Sequence, residues 1–333
     1  MKKMKINIIL LVLVAFIVLF FSLKDNFFSV IDYLRSINYF WIIIACGFYV
    51  LNILFQSLAQ YSFLKEVNSD YKKTSCFKLM SIAMFFNGIT PFSSGGQPFE
   101  IYLLRKENIK VSDSANALLQ NFITYQFALI FIGTVALLTN VYLDIIPDDM
   151  LLRKIVIIGY LINVSVMALI IFLSRGKKTN TKIFNKIFNF IFKLRFIKNG
   201  EQKRQKAEKM LDDFYNSTAI MKNNFKNTVK SFLFNLLSLL CLYIIPLFIY
   251  LSLDNHEMTI VNSLVLSGYT FLIGSFVPIP GGSGGLEYAY TTFFGIFYSG
   301  GLLSASMLLW RLITYYLGII IGGITLVTYR KKE

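Results

Sequence analysis

The sequence predicts an all-α polytopic membrane protein with about six spanning helices, two oppositely oriented re-entrant hairpins and cytoplasmic N- and C-termini. Three observations predict this class: the composition, a set of long hydrophobic segments, and a Gly-Pro stretch that occurs twice. The 333 residues are 56% hydrophobic and only 15% charged, whereas soluble domains carry about 25% charged residues. The composition therefore favours a membrane protein.

Six hydrophobic segments approach or exceed the ~20 residues that cross ~30 Å of hydrocarbon. They are Ile6–Leu23, Tyr39–Leu64, Ala115–Tyr142, Ile155–Leu173, Ser231–Leu253 and Leu302–Thr328. The first segment follows a basic N-terminus, as a signal peptide would. No small-residue cleavage pattern follows it, so we expect a retained helix.

The basic residues predict the orientation. Of the 33 lysines and arginines, only Lys24, Arg35, Arg153 and Lys154 fall in the loops predicted to face outward, and Arg311 falls inside a hydrophobic segment. All the others collect on one side, which the positive-inside rule assigns to the cytoplasm. Topology already explains these charges, so nucleic-acid binding is not predicted.

Two similar motifs lie between the spans. T-P-F-S-S-G-G-Q-P-F-E runs from Thr90 to Glu100, and V-P-I-P-G-G-S-G-G-L-E runs from Val277 to Glu287. The helical stretches around the first motif are too short to span, which predicts a hairpin entering from the cytoplasm. The second motif lies in a longer hairpin, Ile260–Tyr298, which enters from outside to an undetermined depth.

The order helix, hairpin, helix therefore recurs with opposite topology. We expect one membrane domain, residues 1–333, with a first repeat at 39–142, a basic cytoplasmic insert at 174–230 and a second, inverted repeat at 231–329. Interrupted segments at matching positions of inverted halves indicate a transporter site. The alternative is that both motifs form ordinary surface loops.

The insert contains Ile-Phe pairs at helical spacing, from Ile183 to Phe192, with lysines between them. This pattern is typical of an amphipathic helix at an anionic membrane surface. An ordinary positive-inside loop with a short apolar face explains it equally well.

Both motifs are expected to place a glutamate, Glu100 or Glu287, in the first turn of a half-helix, with Pro98 as the first residue of its half. Half-helix N-termini favour anions such as phosphate, so we include the glycines of both breaks in the candidate lipid site. They are Gly95, Gly96, Gly281, Gly282 and Gly284. The alternative is that the glutamates only cap their helices.

Arg311 is the tenth residue of a hydrophobic segment, and an unpaired arginine there costs at least ~2.5 kcal/mol. Arg311, Tyr315, Gly318 and Gly322 are predicted to share a helix face, which would turn Arg311 toward protein and an ion pair with Glu287 or Glu100. Gly318 and Gly322 form a GxxxG pair suited to close packing. The ion pair is either purely structural or part of a lipid-phosphate or coupling site.

Polar side chains also form stripes on two helices. Asn52, Gln56 and Gln60 share one face, and Asn116, Gln120 and Thr124 share another. The stripes support a cavity, with Gln56 and Gln120 as candidate lining residues, although interhelical hydrogen bonding also explains them. The three unpaired cysteines and the single histidine, His256, indicate neither a disulfide framework nor a metal or hydrolase site, and no cofactor is expected.

In its two Gly-Pro motifs and its last hydrophobic segment, the chain resembles the flippase-like family typified by the transmembrane part of lysylphosphatidylglycerol synthases. The likeness rests on N-G-I-T-P-F-S-S-G-G-Q-P-F-E-I-Y-L-L, P-I-P-G-G-S-G-G-L-E and W-R-L-I-T-Y-Y-L-G. In the full synthases, a soluble aminoacyltransferase domain follows and charges phosphatidylglycerol with lysine. The membrane part is understood to move the product outward, which contributes to resistance against cationic peptides.

The chain ends directly after its last helix, so the resemblance implies a stand-alone translocator without the transferase domain. The expected partner is an anionic or aminoacylated phospholipid in a bacterial cytoplasmic membrane. Two alternatives stay open: a small-solute or ion-coupled transporter, and a membrane component of lysylphosphatidylglycerol synthesis that works with a separate aminoacyltransferase. Cargo, direction, energy source and oligomeric state are not predicted.

Overall fold

The computed structural model describes residues 27–90, 94–146, 150–175, 224–274 and 279–329. These residues form helices and their connections, and no β-strand occurs within them. The predicted all-α class is therefore confirmed. The first predicted span, Ile6–Leu23, and most of the basic insert lie outside the described residues, so the retained first helix and the amphipathic helix stay predictions.

Helices in the first half of the chain follow the predicted order. They are α1 (Phe27–Arg35), α2 (Tyr39–Val67), α3 (Lys73–Gly88), α4 (Gly96–Lys106), α5 (Val111–Leu143) and α6 (Met150–Arg175). α3 and α4 have 16 and 11 residues, or about 24 and 17 Å of helix. Both are too short to cross a bilayer, and they pack against each other as a hairpin.

The second half repeats this order. It contains α7 (Phe225–Tyr243), α8 (Ile245–Ser252), α9 (Ile260–Gly274), a 3₁₀ turn (Pro280–Gly282), α10 (Gly285–Phe294), α11 (Gly300–Arg311), a π-helical segment (Leu312–Tyr316) and α12 (Leu317–Thr328). α9 and α10 form the second hairpin, with the 3₁₀ turn at its tip. The opposite orientation of the two halves, and the domain bounds built on it, stay predictions.

Four stretches among the described residues are long and apolar enough to cross a membrane. They are α2, α5, α7 with α8, and α11 through α12. α6 has 26 residues, of which Lys154–Leu169 form a shorter apolar helix. These helices support a multi-pass membrane protein.

Two of the predicted spans are less regular than expected. Ser231–Leu253 is not one continuous helix, because α7 ends at Tyr243 and α8 begins at Ile245. Pro246 lies in the first turn of α8, and it has no N–H with which to continue the hydrogen bonding of α7. The last span is continuous, but it passes through the π-helical segment directly after Arg311.

Close packing joins the last span to the first hairpin, as the GxxxG pair predicts. Gly318 faces the hydroxyl of Tyr49 on α2, and Gly322 faces the carbonyl oxygen of Ser81 on α3. A side chain at either glycine would overlap these atoms. The absence of a Cβ therefore lets α12 lie directly against α3.

Candidate functional site

Arg311 and Glu287 form a buried ion pair at the tip of the second hairpin. The Nε of Arg311 donates to Oε1 of Glu287 at 2.7 Å, and its Nη1 donates to the carbonyl oxygen of Gly281 at 3.0 Å. Arg311 is 3% exposed and Glu287 8% exposed. The predicted ion pair thus forms with Glu287.

One nitrogen of the guanidinium has unused hydrogen-bonding capacity. Nη2 of Arg311 lies 2.7 Å from the same Glu287 oxygen, but this contact does not have the geometry of a hydrogen bond. Nη2 finds no other acceptor among the described residues. Among the described residues, Nη2 of this buried cation therefore has a donor left for a further oxygen atom.

Glu287 also caps its helix. It is the third residue of α10, and its Oε2 accepts from the N–H of Gly284 at 2.7 Å. One carboxylate thus closes the turn before α10 and neutralises Arg311. The predicted cap and the predicted ion pair therefore involve the same carboxylate.

The glycines of the second motif permit this turn. Gly281, Gly282 and Gly284 have φ angles of 63°, 63° and 85°, a region that residues with a Cβ rarely adopt. At Gly281 a Cβ would also overlap the ring of Tyr315. The backbone of Gly281 can therefore approach both Tyr315 and Arg311.

Tyr315 connects the two hairpins. Its hydroxyl donates to the carbonyl oxygen of Gly88, the last residue of α3, at 2.9 Å, while its ring packs on Gly281. The Cζ of Arg311 lies 5.2 Å from the same ring and 5.4 Å from the ring of Trp310, within cation–π range. A single side chain thus touches both hairpins and the buried arginine.

The π-helical segment begins one residue after Arg311 and includes Tyr315. A π turn shifts the direction of the side chains that follow it, and such turns are frequent at functional sites. Regular α-helical spacing, on which the predicted common face was based, does not hold across this segment.

Glu100 occupies a different position from Glu287, which corrects two sequence predictions. It is the fifth residue of α4, not part of its first turn, and Pro98 is the third residue, not the first. Oε1 of Glu100 accepts from Nε2 of Gln60 at 2.8 Å, and both residues are buried. No described lysine or arginine forms an ion pair with Glu100.

Two side chains that the sequence prediction overlooked cap α4. The N–H of Gly95 donates to Oγ1 of Thr90 at 2.8 Å, and the N–H of Gly96 donates to Oδ1 of Asn87 at 2.9 Å. A Cβ at either glycine would collide with these capping side chains. The N-cap residue of α4 is Gly95, so the side chains that cap the helix come from positions before it in the chain, where the usual N-cap preference does not point.

The polar stripes mostly serve as hydrogen-bonded contacts between helices. Asn52 donates to the carbonyl oxygen and the hydroxyl of Ser238 at 2.9 and 2.8 Å, and Gln56 donates to Asn52 at 3.3 Å. Thr124 meets Ser231 at 2.9 Å. These bonds favour the interhelical explanation for the stripes.

Gln120 is an exception to this pattern. It is 4% exposed, and its Oε1 has no hydrogen-bond partner among the described residues.

The structure thus groups Glu287, Arg311, Tyr315 and Gly281 around the second hairpin tip. Glu100 pairs separately with Gln60, and among the described residues no hydrogen bond joins Gln56 or Gln120 to either group.

A metal site has no support within the described ranges, which contain no cluster of three or more His, Cys, Asp or Glu side chains. The single histidine, His256, lies 3.7 Å from Asp254, and both side chains are largely exposed. Both side chains therefore lie on an exposed loop before α9.

Comparison with known families places these features in context. A family model described as the lysylphosphatidylglycerol synthase TM region matches residues 7–322. The chain belongs to this family. The match includes both motifs, Arg311 and Tyr315. Family membership and the four apolar stretches together support a multi-pass protein of the bacterial cytoplasmic membrane. No curated protein matches the chain.

In this member of the lysylphosphatidylglycerol synthase TM-region family, the site contains three kinds of group: a buried guanidinium with a spare donor, a carboxylate engaged in two bonds, and a tyrosine between the hairpins. Together they suit the recognition of an anionic oxygen near the hairpin junction.

Proposed function

We propose that the protein moves a polar phospholipid between the leaflets of the membrane, with the hairpin junction guiding the headgroup. Family membership supports a role with membrane lipid, and the translocation step is the new element. The observation that carries it is the Arg311–Glu287 pair, buried beside Tyr315 where the two hairpins meet.

The chemistry of the pair suits transient binding of a phosphodiester. Nη2 of Arg311 can donate to a phosphate oxygen while Nε and Nη1 stay bonded to Glu287 and Gly281. The negative charge of Glu287 weakens the attraction of the site for anions. Moderate affinity is what a translocator requires, since a tightly held headgroup would not leave.

Tyr315 provides a way to link headgroup binding to movement of the hairpins. It touches Gly88 of the first hairpin and Gly281 of the second, and its ring also faces Arg311. A displacement of Arg311 toward a phosphate would therefore act on both hairpins. A lysyl-phosphatidylglycerol-like lipid fits this scheme, because its phosphate would meet Arg311.

The test is reconstitution of the purified protein into liposomes that contain fluorescent phosphatidylglycerol, lysyl-phosphatidylglycerol or phosphatidylcholine. A membrane-impermeant quencher then reports how fast labelled lipid changes leaflet. We expect faster exchange than in empty liposomes, and a rate about tenfold or more lower in Arg311→Gln, which corresponds to an activation free energy about 1.4 kcal/mol higher.

Two further variants separate the site from general effects. Arg311→Lys keeps the charge but not the planar five-donor fork of the guanidinium, so it should also be slow while retaining its fold by gel filtration. Arg35→Gln removes an exposed arginine at the end of α1 and should leave exchange unchanged. Exchange no faster than in empty liposomes, or full activity in Arg311→Gln, would refute the proposal.

A further inference from the structure

A polar cavity lies at the open end of the first hairpin, away from the hairpin junction. It has a volume of about 320 Å³ and is lined where α3 begins, where α4 ends and beside Tyr329 after α12. Binding pockets for small molecules have volumes of about 300–1,000 Å³. The cavity is therefore large enough for a phosphate-bearing headgroup.

Three lysines line this cavity. Lys72 and Lys78 belong to the α3 side, and Lys106 is the last residue of α4. None of them forms an ion pair with a described carboxylate, although Lys106 lies 4.7 Å from the centre of the Tyr102 ring. Their ammonium groups are available to an anion.

Uncharged donors complement the lysines. Asn68, Ser75 and Asn108 also line the cavity, and each carries a side-chain donor. The N-cap residue of α3 is Lys72, which makes no side-chain cap. A lysine side chain has no acceptor, so the first-turn N–H groups of α3 receive no cap from their N-cap residue.

The two acidic lining residues do not cancel this positive charge. Oε1 of Glu107 accepts from the hydroxyl of Tyr329 at 2.7 Å, so that carboxylate is partly engaged. Burial, together with the neighbouring Glu107, raises the pKa of Tyr329, so its hydroxyl stays protonated and its one O–H is donated to that carboxylate. Asp70 is the other acidic residue, and three lysines against two carboxylates leave an excess of one positive charge.

The position of the cavity points to membrane lipid or to a soluble phosphate. The distribution of basic residues predicts that this end of the hairpin faces the cytoplasm, and basic pockets between helices on that side recruit anionic headgroups. Tyr71, which also lines the cavity, is buried and packs in the same cluster as Cys76 and Leu104. The cavity is thus anchored to the hairpin core.

We propose that the cavity between the start of α3 and the end of α4 binds a phosphate group through Lys72, Lys78 and Lys106. The group comes either from an anionic phospholipid or from a soluble phosphate compound. This inference does not depend on translocation, since its readout is binding alone, and the site shares no residue with the hairpin junction.

The test compares two variants of the full chain that lose the same charge. The cavity variant is Lys72→Gln/Lys78→Gln/Lys106→Gln. The matched control is Lys65→Gln/Lys110→Gln/Lys226→Gln, which removes three exposed lysines outside the lining set. Binding of inorganic phosphate and of glycerophosphoglycerol is measured by calorimetry in detergent, and retention of phosphatidylglycerol over phosphatidylcholine is measured in nanodiscs by mass spectrometry.

We expect the wild type and the control to bind at least one phosphate-bearing probe. The cavity variant should bind the same probe with an affinity lower by about tenfold or more. Binding of glycerophosphoglycerol or phosphate in detergent identifies a soluble ligand, whereas selective retention of phosphatidylglycerol alone identifies a lipid headgroup. Equal losses in both variants, unchanged binding in the cavity variant, or no binding of any probe by the wild type would overturn the proposal.

Discussion

Glu287 and Glu100 each follow a proline by nine positions in similar motifs, but their carboxylates have different partners. Glu287 is bonded to Arg311 and to the N–H of Gly284. Glu100 is bonded to the neutral amide of Gln60. At the scale of single residues, one carboxylate compensates a buried charge and the other takes part in a hydrogen bond that an amide can replace.

This difference predicts that replacing each glutamate by glutamine lowers the stability of the protein by very different amounts. Glu287→Gln leaves the guanidinium of Arg311 buried without a counter-charge, so we expect a loss of about 3–5 kcal/mol in the free energy of unfolding. Glu100→Gln keeps an oxygen that accepts from Gln60, so its cost should stay within about 1 kcal/mol. Urea titration in mixed micelles measures both values.

The double variant Glu287→Gln/Arg311→Met is the control for this prediction. Removing both charges should recover much of the stability lost in Glu287→Gln, because no unpaired charge remains buried. A Glu100→Gln variant as unstable as Glu287→Gln would contradict the assignment and indicate a charged partner for Glu100.

The two Gly-Gly pairs show how elements of similar sequence meet different requirements. Gly281 and Gly282 adopt left-handed backbone angles, whereas Gly95 has a φ of −80° and leaves room for a capping side chain. Sequence comparison finds both pairs but cannot distinguish them, because the distinction depends on the path of the chain at each hairpin tip.

Packing between elements gives a prediction with a built-in control on α12. Gly322 faces the Ser81 carbonyl of α3, whereas the nearest atom to a Cβ at Gly323 is a carbon of the Phe85 ring at 3.6 Å. Gly322→Ala should therefore push α12 away from α3 and destabilise the protein by about 1–3 kcal/mol.

Gly323→Ala should be neutral or stabilising by up to about 1 kcal/mol, because alanine is the better helix former and the space is open. Thermal unfolding of the two purified variants in the same detergent gives the comparison. Equal melting temperatures would mean that α12 does not pack against α3 through Gly322.

At the scale of the whole molecule, the hydrophobic segments predicted the class of fold and most of the helices. The burial of Arg311 and its pairing with a carboxylate also followed from the sequence, since an arginine in a hydrophobic segment needs a partner. The choice of Glu287 over Glu100 came only from the structure. The break before Pro246 was visible in principle, because proline interrupts helical hydrogen bonding.

Other features depend on contacts between distant parts of the chain. Gln60 and Glu100 meet across 40 positions, and Tyr315 reaches Gly88 across 227 positions. No local pattern predicts such pairs. The π-helical segment after Arg311 likewise has no signature in the composition of L-I-T-Y-Y.

Membrane orientation ties these observations together, and it gives a prediction for the whole chain. The order helix, hairpin, helix occurs twice, and the basic residues predict that the first hairpin opens to the cytoplasm and the second to the outside.

Lys110 follows the first hairpin, and His256 precedes the second. In a background with Cys46, Cys76 and Cys241 replaced by serine, His256→Cys should react with a membrane-impermeant maleimide in intact cells. Lys110→Cys should react only after permeabilisation, while a version with no cysteine should stay unlabelled in both conditions. Labelling of both positions from the same side would rule out the inverted repeat. It would also rule out a lipid pathway in which the two hairpins are equivalent and each opens to a different leaflet.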